Sequence, residues 1–356
     1  MFFYIILFVL IILLGITCPR NKTIGTLGMG LLCFFSMFRG ERVGTDTATY
    51  MDIHRMVLLY EYDYGGGILS KNWEFISSTL FNVIYNNSLS PRLAIVFFSL
   101  LTFIFLFLSL RRTKSSYSIG CIIFLILFYL SSFNIARQIC ACSIVLYAFT
   151  FLFEKSNKKY LFFVYLFLAS FIHAVSLIFV AVYLVRFIRE VPYKRTTLTV
   201  VAGIIFLFNL VSPFHLSELL TTLLGDVSYA EIYSDRAITT SRSFMGIMQD
   251  FAKFLVAILV FNYGGIAKKV TLPDLLFFLS IIAAIFSANA HSDIARIFLP
   301  IEFFQILYFP YLYQYNRKFI HSLPFFSFIF VYAFFTLWGA AMGSGEVVPY
   351  ILYVAF

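Results

Sequence analysis

The stretch RGERVGTDTATY, residues 39–50, sets two arginines, two acids and two glycines directly behind the apolar run IGTLGMGLLCFFSMF. Arg39 and Arg42 offer planar, permanently charged forks that match a carboxylate or a phosphate. Asp46 beside them is suited to stay ionised and orient them, or to accept a proton from a sugar hydroxyl. It is equally suited, with Thr45, to cap a helix running through ATYMDIHRMV.

Three further groups have similar character: Arg137 with Gln138 after SSFNIA, His173 in LASFIHAVSLIF, and His291, Asp293 and Arg296 in AHSDIARIF. Ionisable groups at membrane depth are costly and usually mark function. Each has a plainer reading: interfacial snorkelling for Arg39, Arg42 and Arg137, pairing with Asp293 for Arg296, a satisfied core position for His173. Four such groups on one side of the membrane make those readings a poor joint explanation. Gln138, Asp293, His291 and Arg242 are candidate substrate contacts around them.

Other chemistries lack their residues. There is no Walker A string, no HExxH, no GxSxG and no Asp-x-Asp. Glu61 and Asp63 form the nearest acidic pair, but isolated loop carboxylates are usually only solvated, so neither a metal site nor a cofactor is expected. All five cysteines, Cys18, Cys33, Cys121, Cys140 and Cys142, lie in or beside apolar segments and read as small core residues.

The elements that must carry these groups are membrane helices. Hydrophobic residues make up 61% of the 356-residue chain and charged residues 12%, half the usual soluble share of about 25%. The expected fold is an all-α polytopic membrane protein, one integral-membrane domain over 1–356 with about 10–12 transmembrane helices. Candidate spans are 2–17, 24–38, 92–110, 117–133, 136–153, 160–172, 174–187, 197–212, 246–263, 270–288, 294–315 and 321–340. The opening run has no basic residue before it, so it reads as a retained first span rather than a signal peptide. Two larger loops outside the membrane are expected, 39–91 and 213–245. The first also carries EYDYGGG and KNWEF, the latter with Trp73; the second carries a short amphipathic helix after Pro213.

Basic clusters fall in alternate connections: Arg20/Lys22, Arg111/Arg112/Lys114, Lys155/Lys158/Lys159, Arg186/Arg189/Lys194/Arg195, Lys268/Lys269 and Arg317/Lys318. That alternation is the cytoplasmic signature, so the net charge of +9 reflects topology and gives no reason to invoke nucleic acid. The ten cations left outside are Arg39, Arg42, Arg55, Lys71, Arg92, Arg137, Arg236, Arg242, Lys253 and Arg296, eight of them arginine. An arginine-rich outer face suits an anionic ligand. The stretch KYLFFVYLFLASFIHAVSLIFVAVYLVRFIRE has cationic clusters at both ends, so two short helices turning back near His173 fit better than one crossing.

RGERVGTDTATY, NIARQICACSIVLYAF, LASFIHAVSLIF and HSDIARIFLPIEFF, in this order over most of the chain, resemble the Wzy-type O-antigen polymerases and the related EpsG family of exopolysaccharide proteins. The first motif is the most specific of the four. The resemblance implies a multi-span enzyme of the bacterial inner membrane with its active site facing the periplasm, a GT-C-like glycosyltransferase. Such an enzyme moves a growing glycan from undecaprenyl pyrophosphate to a hydroxyl of another lipid-linked repeat unit, so donor and acceptor are both undecaprenyl-pyrophosphate-linked oligosaccharides. A chain-length regulator protein is an implied partner. On this reading Arg137 and Arg296 form the principal pyrophosphate clamp, with Arg39 and Arg42 contributing, and His173 or Asp46 is the general base. Fixed guanidinium groups in a water-poor site would stabilise the departing pyrophosphate without a metal.

A lipid-linked oligosaccharide flippase would spread its arginines across both halves of the membrane. An O-antigen ligase would use similar chemistry with lipid A core as acceptor, and a membrane acyltransferase would need a deep cytoplasm-facing histidine, whereas the expected inner loops offer only His321.

Overall fold

A computed structural model describes residues 1–54, 56–57, 74–153, 158–187, 194–211, 244–263, 270–287 and 292–351. The described chain is helical: α1 (Phe2–Thr17), α2 (Lys22–Met37), α3 (Thr45–Met51), α4 (Phe75–Asn86), α5 (Arg92–Arg112), α6 (Tyr117–Phe124), α7 (Ala136–Thr150), α8 (Tyr160–Ser170), α9 (Arg195–Val211), α10 (Phe244–Tyr263), α11 (Leu272–Ser287), α12 (Ser292–Glu302), α13 (Gln305–Tyr315) and α14 (Leu323–Ala341). Polar residues start several of them. Asn21 accepts from the Thr23 and Ile24 amides to open α2, and Ser116 accepts from Ile119 to open α6. Among the described residues α5, α10 and α14 are long and apolar enough to cross a membrane alone, and the other apolar helices are shorter. The chain is an all-α polytopic membrane protein.

Helix α7 is the axis of the fold. All but two of its 15 residues are buried, including Cys140 and Cys142, so it is apolar all round and every face meets another helix. Ala136, Cys140, Ala141 and Ser143 are small enough to let α5 and α8 approach closely. All five cysteines are free and four of them are buried.

The expected turn at His173 is present. Helix α8 covers only eleven residues, about 16 Å, roughly half of a hydrocarbon core. After His173 the chain continues as a tight 3-10 run, Ala174–Phe187, that packs back along α8. Tyr183 lies 5.5 Å from Phe162 and 4.6 Å from Phe163, positions nearly symmetric about the turn. Cysteines placed at Lys159 and Lys194 are therefore expected to react with an impermeant thiol reagent from the same side of the membrane, and labelling from opposite sides would contradict the hairpin.

Three expectations are revised. The single span 294–315 is two helices: Pro300 removes an amide donor in α12, and the chain turns at Phe303 and Phe304 before α13 begins. The span 117–133 starts as α6 and loosens into a π-turn, Leu125–Tyr129, and a 3-10 turn, Ser131–Phe133. The first loop contains α3 and α4, which pack onto the end of the bundle through Tyr50, Phe81 and Phe98. The second loop, 213–245, lies almost wholly outside the described residues, as do Glu61, Asp63 and Trp73.

The two ends of the bundle differ in chemistry. Arg112 lies over the Phe151 ring, Gln314 donates to the Lys114 carbonyl, Ser116 to that of Pro19, and Asn316 to the Tyr263 hydroxyl. These contacts gather the connections that carry Arg20, Arg111, Lys114, Lys158 and Arg317 at one end. At that end Arg195 joins Asp274 at 2.7 Å and the Phe261 carbonyl at 2.7 Å, and Tyr308 and Thr271 complete the carboxylate's shell. The four motif segments meet at the other end.

Candidate active site

Residues 39–50 fold as a tight turn leading into α3, and Gly44 sits at the bend with φ +87°. A Cβ there would come within 2.5 Å of the Phe133 carbonyl oxygen, so both the dihedral and the contact require glycine. The turn then exchanges caps with the start of α7. Asn134 Oδ1 accepts from the Thr45 amide at 2.9 Å, and Asp46 Oδ2 accepts from the Ala136 amide at 2.7 Å. Asp46 thus caps α7, not its own helix, and the same oxygen takes the Tyr50 hydroxyl at 2.9 Å. Burial raises the Asp46 carboxyl above the usual range, while Arg137, Tyr50, the Ala136 amide and Arg39 pull it back.

Arg39 lies beneath this turn with no exposed surface. Its Nε donates to Thr47 at 2.6 Å and its Nη1 to the Ser36 carbonyl at 2.7 Å, with Phe133 stacked at 4.9 Å. Arg92, at the head of α5, donates to the Arg39 carbonyl. Arg42 is exposed on the outside of the turn. Of the two arginines in the first motif, one builds the loop and the other faces solvent.

Arg137, one residue into α7, reaches away from that helix. Its Nε donates to the Tyr50 hydroxyl at 3.2 Å and its Nη1 to Glu74 Oε2 at 2.6 Å. Glu74 precedes α4, is almost fully buried, and uses both oxygens. Its Oε1 accepts from the Ala174 amide at 3.2 Å and lies 2.9 Å from His173 Nδ1, an ion-pair distance away from hydrogen-bond alignment. The hairpin tip is held there because the Ile76 amide donates to Phe171 and the Ser77 hydroxyl to Ile172. Asp46, Tyr50, Arg137, Glu74 and His173 form one connected chain drawn from four segments.

A cavity lies beside the start of α7. Gln138 is buried and donates to the Arg296 carbonyl at 2.5 Å. Ile135, just before α7, and Arg296 line a space of about 310 Å³ among the Leu125–Tyr129 turn, α10, α11, α12 and α14. Glu302, Lys253, Asp250, Ser287 and Tyr332 also face it, against walls that include Phe128, Phe206 and Phe254. Glu302 Oε1 accepts from Ser287 at 2.9 Å, and Lys253 lies over the Tyr332 ring at 5.7 Å. His291, Arg242 and the Asp293 side chain lie outside the described residues.

Sequence reasoning overlooked Glu74, Lys253 and Glu302 as site residues. Lys253 and Glu302 had a signal, each being an ionisable residue inside an apolar helical segment. Glu74 had none, because its partners lie 63 and 99 positions further along the chain.

The described fold is that of a polytopic membrane protein with an ionic network at the end opposite its basic connections and a polar cavity beside it. The chain belongs to the EpsG family, which it matches over residues 22–352. No curated protein and no solved structure matches it. Membership supports a polysaccharide-polymerase type of role and a glycosyltransferase-like reaction.

Proposed function

We propose that the protein joins undecaprenyl-pyrophosphate-linked oligosaccharide repeat units into O-antigen or a related polysaccharide, by metal-independent transfer at the periplasmic face of a bacterial inner membrane. The observation that carries this reading is the convergence of four separate motif segments at one end of the bundle. That end lies opposite the basic connections, which the charge rule assigns to the cytoplasm. Donor and acceptor are both lipid-linked, and a chain-length regulator protein is the expected partner.

The reaction makes a glycosidic bond and releases a pyrophosphate, so the group needing stabilisation is the departing anion. Arg137 and Arg296, on either side of the first turn of α7, are the clamp in this proposal, and exposed Arg42 attracts the anion from outside. Glu74 and Tyr50 hold Arg137 in place before substrate arrives, which lowers the reorganisation needed during reaction. His173, partly exposed beside Glu74, is suited to donate to the leaving oxygen. Asp46 spends its carboxylate on the α7 cap and Tyr50, and Arg39 is enclosed, so both act as positioning groups. Gln138 positions Arg296 in the same way.

Deleting the gene and separating the surface glycans on a gel tests the reading. In a host whose glycan is built on lipid A, a ladder that collapses to one repeat unit supports a polymerase. Loss of every unit-bearing band supports a flippase or ligase instead. Purified protein with lipid-linked repeats should also polymerise in excess EDTA with no nucleotide added. Activity that vanishes in chelator and returns with magnesium or manganese would show that arginine alone does not meet the charge, and Glu61 and Asp63 would then be the first residues to replace.

A further inference from the structure

We propose that the cavity between the Leu125–Tyr129 turn, α10, α11, α12 and α14 holds the acceptor sugar and that Glu302 is the catalytic base on its hydroxyl. The inference rests on the polymerase reading and adds a residue and a pocket to it. Three observations carry it.

The first is the state of the carboxylates. Asp46 is committed to the α7 cap and Tyr50, and Glu74 has Arg137 on one oxygen and His173 and the Ala174 amide on the other. Glu302 is held through Oε1 by Ser287, and among the described residues its Oε2 has no hydrogen-bond partner. A base needs a lone pair that can reach the proton it takes, and Glu302 keeps one on the cavity side.

The second is the lining. Asp250, Lys253 and Glu302 line the pocket together, so with Arg296 assigned to the leaving group the remaining charges do not favour a second anion there. Charged acceptors and donors beside aromatic faces suit the hydroxyls and apolar ring faces of a saccharide. The volume, about 310 Å³, is at the small end of ligand pockets and fits one or two sugar rings rather than a long glycan.

The third is position. Ile135 lines the cavity and Arg137 is two residues further along α7, so the pocket adjoins the ionic network proposed to receive the leaving group. In the reaction the acceptor oxygen bonds to the donor's anomeric carbon. The bond from that carbon to the pyrophosphate oxygen breaks, its electron pair leaves with the pyrophosphate, and the acceptor proton passes to Glu302 Oε2. Lys253 faces the same cavity as Glu302 and sets a positive charge near the carboxylate.

The test uses the full-length protein in detergent with lipid-linked repeats as donor and acceptor. Glu302→Gln keeps the shape and should lower kcat by about 10²–10⁴-fold while the acceptor KM stays within about threefold. Glu302→Ala should recover part of its rate with added formate, a small carboxylate able to enter the vacated space. Wild-type-like kcat in Glu302→Gln overturns the proposal and leaves the polymerase reading standing. A loss that formate does not restore and that comes with a tenfold higher KM makes Glu302 structural and also overturns it. No polymerisation by the wild-type protein removes both.

Discussion

Replacing Arg137 by lysine is expected to reduce polymer formation by about 10²–10³-fold, the cost of losing a preorganised donor to developing charge. The geometry explains why charge alone does not suffice. Arg137 spans two partners with separate nitrogens, the Tyr50 hydroxyl through Nε and Glu74 through Nη1, and so aims the rest of its fork. A lysine ammonium is one point charge on a flexible stem and reaches one of them. Arg296→Lys is expected to fail for the same chemical reason. The measurement is the glycan ladder from cells carrying each variant, normalised to protein in the membrane fraction. Full-length polymer from both lysine variants at normal protein levels would mean that these arginines only mark topology.

Glu74→Ala is expected to cost both stability and activity. Glu74 is almost fully buried and joins Arg137, His173 and the Ala174 amide, so its removal leaves a cation without its partner and loosens the hairpin tip. Breaking one side of a buried pair costs about 3–5 kcal/mol, and the partial exposure of Arg137 places this case near the lower end. Thermal unfolding of the purified variant should show a clearly lowered midpoint, with polymer lost in cells. Glu74→Gln keeps the shape and should recover much of the stability but not the activity, since a neutral amide does not hold the Arg137 guanidinium as firmly. A Glu74→Ala protein with unchanged midpoint and normal polymer would remove Glu74 from the site.

These expectations place function in contacts that join distant parts of the chain. The reciprocal caps between residues 45–46 and 134–136 show why RGERVGTDTATY and SSFNIARQ belong together. Each segment supplies the acceptor that the other's first helical amide lacks, and Gly44 gives the backbone room to approach Phe133. The strings offered Arg39 as an anion ligand and Asp46 as a general base or a local cap. In the structure Arg39 holds the turn from beneath, and Asp46 caps a helix 90 positions away.

The sequence alone determined the class of protein, the segregation of its basic connections and the reversal at His173. Those properties follow from quantities additive along the chain: apolar length against bilayer thickness, and positive charge against sidedness. It also singled out candidate segments, because an ionisable residue in an apolar run is costly wherever the run packs. Tertiary structure decided the partners. Whether Arg137 meets Glu74, whether Glu302 opens onto a cavity, and whether Arg39 is buried depend on helices brought together from far apart in the chain. The breaks at Phe303 and Phe304 and in the 125–133 turn belong to the same level. They put Glu302 and Arg296 beside Ile135 and Gln138, and no local propensity encodes that neighbourhood, since directional contacts at the site form only after packing has fixed the backbones that carry them.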